Sequence, residues 1–407
     1  MSTIQTLLAF LLAGSPAASP TATVRTAEPA ASPAAPVAPV VDAATITVSN
    51  PLAAPRMRET ISVALAEIDK IVPGFDLKTA LVVDAAGNPV LSQLVDMNGD
   101  DSPDEIVFQT DLLAKETKAF KLRVGQRQPA ARDEYKAFGR FVRERHDDFA
   151  WENDLVAHRM YGPDLETYKK EPLTSSGVDV WVKRVTKLIV NDWYMTDNYH
   201  QDAGEGADFY GVGKSRGCGG LGIWANGKLH VSKNFVSSRV LANGPIRLVF
   251  ELTYAPWEAG SMKVAETKRV VLDAGSHFNH FESTLTGASA ALSVGLGISK
   301  HPGGKVTVDG RRGTMRTWEP LDGGKSGNLG CAIVLSPKST SHEQQIESDF
   351  LLVTPVPASG RLRYYVGTAW DRAGSVPDAA SWAKEVQGLS DRLAAPVKVS
   401  LAAAKAK

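Results

Sequence analysis

Between Asp197 and Gly220 the chain reads DNYHQDAGEGADFYGVGKSRGCGG, placing Tyr199, His200, Asp202, Glu205, Asp208, Tyr210, Lys214 and Arg216 among glycines. The stretch follows neither a helical nor a strand period. Glycine lets a backbone turn sharply and approach a ligand closely, and the polar side chains offer two chemistries. In one, His200 holds a divalent cation together with Asp202, Glu205 or Asp208. In the other, His200, Tyr199 or Tyr210 is a general acid or base oriented by a carboxylate, while Arg216 or Lys214 neutralises an anion. Neither G-x-x-x-x-G-K-[ST] nor G-x-S-x-G occurs, which excludes a Walker phosphate loop and a hydrolase nucleophile elbow.

A second cluster, HDDFAWENDLVAHRMYGP, runs from His146 to Pro163 and holds Glu152, Asn153, His158, Arg159 and Tyr161. On a strand, Ala157, Arg159 and Tyr161 share one face, with His158 and Met160 on the other. An arginine and a tyrosine pointing into one groove suit an acidic sugar, because the guanidinium fork grips a carboxylate and the phenol stacks or donates. The same arginine also fits a structural pair with an acid such as Glu152. Trp151, Trp181, Trp193, Trp224 and Tyr210 are candidate stacking platforms, and His277, His280 and His301 stand in reserve as acid–base groups. DMNGDDSPDE supplies Asp96, Asn98, Asp100 and Asp104 as oxygen ligands of the kind calcium takes, but lacks the spacing of a complete calcium loop. An acidic hairpin turn is the preferred reading there.

These groups need a scaffold, and the rest of the chain reads as strands. PIRLVFELTYAPW alternates, with Ile246, Leu248, Phe250, Leu252 and Tyr254 on one face. AETKRVVLDAGSHFNHFESTLTG gives two strands around Ala274-Gly275, and DVWVKRVTKLIV predicts a strand over 179–190. A helix is predicted near the C-terminus, where Trp382, Val386, Leu389 and Leu393 share a face between Pro377 and Pro396. Many strands with few helices predict an all-β fold of large antiparallel β-sandwich type.

Lysine plus arginine equals aspartate plus glutamate, 45 each in 407 residues. Zero net charge removes the bulk-charge argument for nucleic acid or an anionic membrane as partner. LLAFLLAG followed by small residues has the pattern of a secretory signal within residues 1–20, without the usual preceding basic residue. Residues 21–45 are mostly Ala, Pro, Ser, Thr and Val, a composition expected of a disordered linker, so the folded domain is expected over 46–401. Export would place the protein in the periplasm or outside the cell. The two cysteines, Cys218 and Cys331, are compatible with one bridge or with two buried thiols.

The runs AWENDLVAHRMYGP, GVDVWVKRV, NYHQDAGEGADFYGVGKSRGCGGLGIW, GPIRLVFELTYAPW, VVLDAGS and YYVGTAWDRAG resemble the bacterial family called domain of unknown function 4861. The resemblance spans roughly Ile46 to Leu401. It implies an exported protein of polysaccharide-degradation loci that handle uronic-acid polymers. The strands from Gly244 to Gly287 resemble the galactose mutarotase-like supersandwich, a fold shared by epimerases, lyases and glycosidase accessory domains. The reaction expected on this basis is β-elimination or dehydration of a uronic-acid-containing oligosaccharide. His200, Tyr199, Tyr210, Arg216, Arg159 and Tyr161 would be catalytic, and Glu152, Asn153, His158, Lys214 and Trp224 would bind substrate. Asp202, Glu205 and Asp208 would be the ligands if a divalent cation such as calcium takes part. Arg216 ranks above Arg159 as the carboxylate clamp. Hydrolysis by a pair of carboxylates among Glu152, Asp202, Glu205 and Asp208, epimerisation, and a non-catalytic sugar-binding role are the alternatives.

Overall fold

The computed structural model describes residues 41–170, 172–288 and 291–404. The residues read as a signal segment, and most of those read as a linker, lie outside these. Within them the fold is antiparallel β-sheet throughout, with few helices, one of them the C-terminal Ala379–Ala394.

Two small sheets form an N-terminal sandwich. Val41–Ser49 lies between Thr117–Val124 and Lys398–Ala403, while Arg56–Ala64 pairs with Glu105–Leu112. Ile46 and Val48 from one sheet and Ile61, Val63, Ile106 and Phe108 from the other fill its core. The strand begins at Val41, earlier than the boundary at 46 that composition suggests. Ala44, buried in the core, continues the alternation of Ile46 and Val48, which small linker-type residues conceal in the sequence.

The larger body has an eight-stranded sheet facing two five-stranded sheets across one apolar core. Its strand Asn328–Leu335 shows why the sequence there is continuously apolar. Leu329, Cys331, Ile333 and Leu335 enter the central core, and Ala332 and Val334 meet the C-terminal helix on the opposite face. That helix docks through Trp382, Val386 and Leu389 as its spacing predicts, and the Trp382 ring stacks on Phe278 at 5.5 Å. It starts at Ala379, two residues past Pro377, which therefore precedes the first turn, and the Asp378 carboxylate caps it by accepting from the Ser381 N–H.

One further difference matters for the site, while the acidic turn is as expected. The strand expected over 179–190 is only Asp179–Lys183, and the chain then turns into a short helix, Val190–Thr196. Seven residues are too few to signal a helix by period, and such a helix persists through docking. The Asp96–Glu105 turn is an acidic hairpin: Asp96 accepts from the N–H groups of Asn98, Gly99 and Asp101, and Asp104 from that of Met97.

Candidate active site

The five-stranded sheet containing Asp148–Asn153, Ala157–Met160 and Asp179–Lys183 is buried on both faces. Phe149, Trp151, Met160, Val180 and Val182 face the central core. On the other face, alternation and register bring polar residues together. Arg159 lies opposite Ala150 on one neighbour and Asp179 on the other, so Asp148, Arg159 and Asp179 emerge on the same side. Trp181 on that face stacks with Trp193 at 5.5 Å and Tyr199 at 4.9 Å, which fixes the helix and the start of the glycine-rich loop over the sheet.

Glu152 holds the helix from below. Its carboxylate accepts from the N–H groups of Ile189 and Val190 and pairs with Lys183 Nζ at 2.7 Å, both side chains fully buried. After Tyr199 the loop returns to the sheet edge, where Gly206 pairs with Lys183. Gly206 has φ +125°, and any Cβ there would strike the Val182 carbonyl, so glycine is required. The next turn delivers Asp208, whose N–H donates to the Tyr199 carbonyl at 2.7 Å.

These elements enclose a cavity of about 320 Å³ lined by Arg145, Asp148, Arg159, Tyr161, His200, Asp208, Tyr210 and the Gly211–Gly213 backbone, among others. Arg159 is its hub. Nε and Nη2 donate to Asp179 Oδ2 at 3.0 and 2.6 Å, Nη2 also lies 3.3 Å from Asp208, and Nη1 lies 3.8 Å from Asp148. The guanidinium packs over the rings of Tyr161 and Trp181 at 5.1 and 5.5 Å. Three carboxyl groups therefore share one guanidinium, and burial governs their proton affinity. Asp148 is pushed up to about 7 by burial, which outweighs Arg159 and the Gly162 N–H bonded to its Oδ1. Its Oδ2 is buried without a hydrogen-bond partner. Asp208 is pushed well above the usual carboxylate range by burial and then by the neighbouring Asp179. Burial also raises the phenols of Tyr161 and Tyr210 well above their ordinary value, and that of Tyr199 to a lesser degree. The three tyrosines are thus proton donors near neutrality, not bases.

The chain is strained where it enters this site. His146 and Asp147 both have positive φ, 52° and 62°, an uncommon conformation outside glycine. Gly162 packs so closely on the Asp147 carbonyl that a Cβ would overlap it. The pair of left-handed residues sets Asp148 at the start of its strand beneath Arg159.

The two sequence clusters line the same cavity: Arg159, Tyr161, His200, Asp208 and Tyr210 are all on its wall. Tyr199 is buried beside it, with its hydroxyl 3.5 Å from Arg159. The His200 ring is largely exposed, its Nδ1 3.6 Å from Asp208 Oδ2. Other expected site residues are scaffold. Arg216 is buried away from the cavity lining, with Nη1 donating to Ser176 Oγ at 2.8 Å, so of the two expected clamps Arg159 and not Arg216 reaches the cavity. Glu152 and Asn153 are buried, Asn153 donating to the carbonyls of Asp273 and Ser276. His158 points to the core face, stacked on Trp151 at 5.3 Å, and burial lowers it to about 3. Lys214 and Trp224 are outside the lining, and the Lys214 carbonyl accepts from Arg216.

The proposed metal ligands are divided among three cations. Asp202 pairs with Arg184, Glu205 with Lys187 at 2.7 Å, and Asp208 with Arg159. Among the described residues no group of three His, Cys, Asp or Glu side chains is arranged to hold a metal ion. Cys218 and Cys331 are two free buried thiols. Asp148 belongs to the polar run His146–Pro163, which by itself gives it no role, and Asp179, an acid inside the apolar strand VDVWV, gives no local signal; only the register of three strands shows that they converge. A larger groove of about 980 Å³ beside the N-terminal sandwich includes Arg127, but that guanidinium is held by the carbonyls of Ala80 and Ser92.

The molecule is an antiparallel β protein with a cavity of acidic, basic and phenolic side chains on one of its sheets. It belongs to the family described as domain of unknown function (DUF4861), whose model matches residues 48–399. An uncharacterized protein, P7, of Formosa agariphila is 34% identical over 374 residues, covering 88% of this chain and 93% of that protein. Two solved structures from Enterococcus faecalis overlap with it at 10% identity. One is described as an alpha-mannosidase (TM-score 0.46, 90% of this chain, 46% of that one). The other is described as a glycosyl hydrolase family 38 protein (TM-score 0.48, 88% and 47%). The chain spans about half the length of each. Likeness at that level defines neither activity nor substrate.

Proposed function

We propose that this protein is a carbohydrate-active enzyme in which Asp148 and Asp208 form an acid–base pair across Arg159, and that it cleaves a glycosidic bond by hydrolysis. The observation that carries the reading is the cavity itself, with two lining carboxyl groups on either side of one guanidinium. Two carboxyls with separated proton affinities are what protonation of a leaving oxygen and activation of water require. Asp208, raised well above the usual carboxylate range by burial and by Asp179, is assigned as the acid, and Asp148, raised to about 7, as the base. The tyrosines donate hydrogen bonds to sugar hydroxyls, and His200 stands at the mouth. The substrate class rests on the family's resemblance to proteins of polysaccharide degradation.

Elimination from a uronate fits this geometry less well. It needs a cation to hold the substrate carboxylate; Arg159 already faces three acids, which leaves that task to Arg145 on the cavity wall. The test is a product profile on a panel of neutral and uronic oligosaccharides. New reducing ends without the ultraviolet absorbance of an unsaturated uronate support hydrolysis. Appearance of that absorbance makes elimination the reaction, and absence of turnover on the whole panel leaves a binding role.

A further inference from the structure

His301 follows the strand Ser293–Ser299 and lies outside the constellation described above. It reaches across to the glycine-rich wall of the cavity. Its Nδ1 is 2.9 Å from Glu319 Oε1, and its Nε2 is 2.6 Å from the Gly211 carbonyl oxygen. Both partners are acceptors. A neutral imidazole has one N–H and one lone pair, so it can satisfy only one of them and turns its lone pair on the other. Only the imidazolium donates to both at once. Glu319 is buried at 1% side-chain exposure and His301 is about a quarter exposed, so the pair sits at the edge of the core and not in bulk water.

The segment it grips matters. Tyr210, Gly211, Val212 and Gly213 all line the cavity, and the Tyr210 ring meets the imidazole edge-on at 4.8 Å. Tyr210 and Val212 are anchored in the central core, but Gly213 has φ +52° and no atom within reach of a Cβ, so the backbone at the two glycines is held by little besides the bond to His301. We infer that His301, as an imidazolium bridging Glu319 and the Gly211 carbonyl, is a positioning residue that clasps the Tyr210–Gly213 wall onto the sandwich and makes substrate binding pH-sensitive.

The charged groups around it agree in sign. Burial acts to lower the imidazole, but Glu319, the Gly211 carbonyl and Asp349 outweigh it, and the net direction is upward. Glu319 faces it from Thr314–Pro320, Asp349 from Asp349–Pro355, and Tyr210 from the glycine-rich loop. A raised histidine contributes its bond fully at low pH and loses it as pH rises through its folded value. The wall is therefore clasped in acid and released in alkali, the direction opposite to the ionisation of Asp148.

This rests on the proposed function only for its kinetic consequence, and its structural part is tested without substrate. In the full-length protein, ¹⁵N spectra of the ring should show both nitrogens protonated, titrating above the ordinary histidine value. Amide-exchange protection of 211–213, corrected for intrinsic rates, should fall over the same pH range. His301→Gln keeps a donor for the carbonyl but has no titratable proton, so its protection at 211–213 should be independent of pH. A ring that is neutral at and below its ordinary titration range, or an H301Q variant whose protection still falls with pH as in the parent, overturns the inference. On an oligosaccharide for which turnover has been found, KM of the parent should rise on the order of tenfold through this titration, the scale of one charge-assisted hydrogen bond. In H301Q, KM should not vary with pH, while the Asp148 limb in kcat remains. A pH-independent KM in the parent, alongside the expected ring titration, refutes the link to binding without touching the assignment of the acid–base pair.

Discussion

Asp148 shows how a single residue records the cost of a site. Its folded-state proton affinity lies above that of an unfolded aspartate, so the folded chain binds more protons. The sign follows from linkage: stability is fully present below the ordinary value of about 4 and is lost as pH rises toward about 7. A shift of roughly three units corresponds to about 4 kcal/mol at most. Asp148→Asn is therefore expected to raise the melting temperature above about pH 7 and to change it little in acid, while lowering kcat by roughly 10²–10⁴. Thermal melts across pH and steady-state kinetics check the two halves. Asp208→Asn should lower kcat on a similar scale, and parent kcat should rise with pH through about 7 as the base ionises. Asp202, Glu205 and Asp208 are each bonded to a different cation of the chain, so dialysis against a chelator is expected to leave turnover unchanged. Loss of activity restored by a divalent ion would give those acids another role.

At the scale of elements, the sequence reveals faces better than ends. The alternation in AHRM separates Ala157 and Arg159 from His158 and Met160, because a strand buried on both sides still obeys a period of two; Tyr161, just past the strand end, touches both the Arg159 guanidinium and the central core. The alternation does not reveal that the second face is as deeply buried as the first, and so His158 and Asn153 look available when they are not. The helix Val190–Thr196 is invisible because tertiary contacts create it: Glu152 receives its first N–H groups and Trp193 stacks on Trp181. Asp148 and Asp179, 31 residues apart in sequence, meet only through strand pairing with Arg159 between them. Replacing Glu152 by Gln would leave the Lys183 ammonium buried without its carboxylate. A loss of about 3–5 kcal/mol is expected, with the short helix detaching first. Denaturant titration and amide exchange over 189–196 measure it, and adding Lys183→Met to Glu152→Gln should recover much of the loss.

On the scale of the whole molecule, the boundary at Val41 has a measurable consequence. A chain beginning at Ile46 lacks Val41–Thr45, which pair with Thr117–Val124 and in part with Lys398–Ala403, and lacks the buried Ala44. It is expected to melt at a lower temperature than a chain beginning at Val41, by several degrees if about 1–2 kcal/mol is lost. Equal melting temperatures would mean that this part of the strand contributes nothing.

The same pairing bears on kinetics. Among the described strands, Val41–Ser49 is the first to leave the ribosome, and one of its two neighbours, Lys398–Ala403, is the last. More than three hundred residues must be made before that edge is covered. Until then the N-terminal sandwich carries an open row of backbone donors and acceptors, the feature that invites pairing with a second chain. Closing so long a loop is slow on the scale of local contacts. The expected signature is a late refolding phase that a chain lacking Lys398–Ala403 does not show, together with a greater tendency of that shortened chain to aggregate.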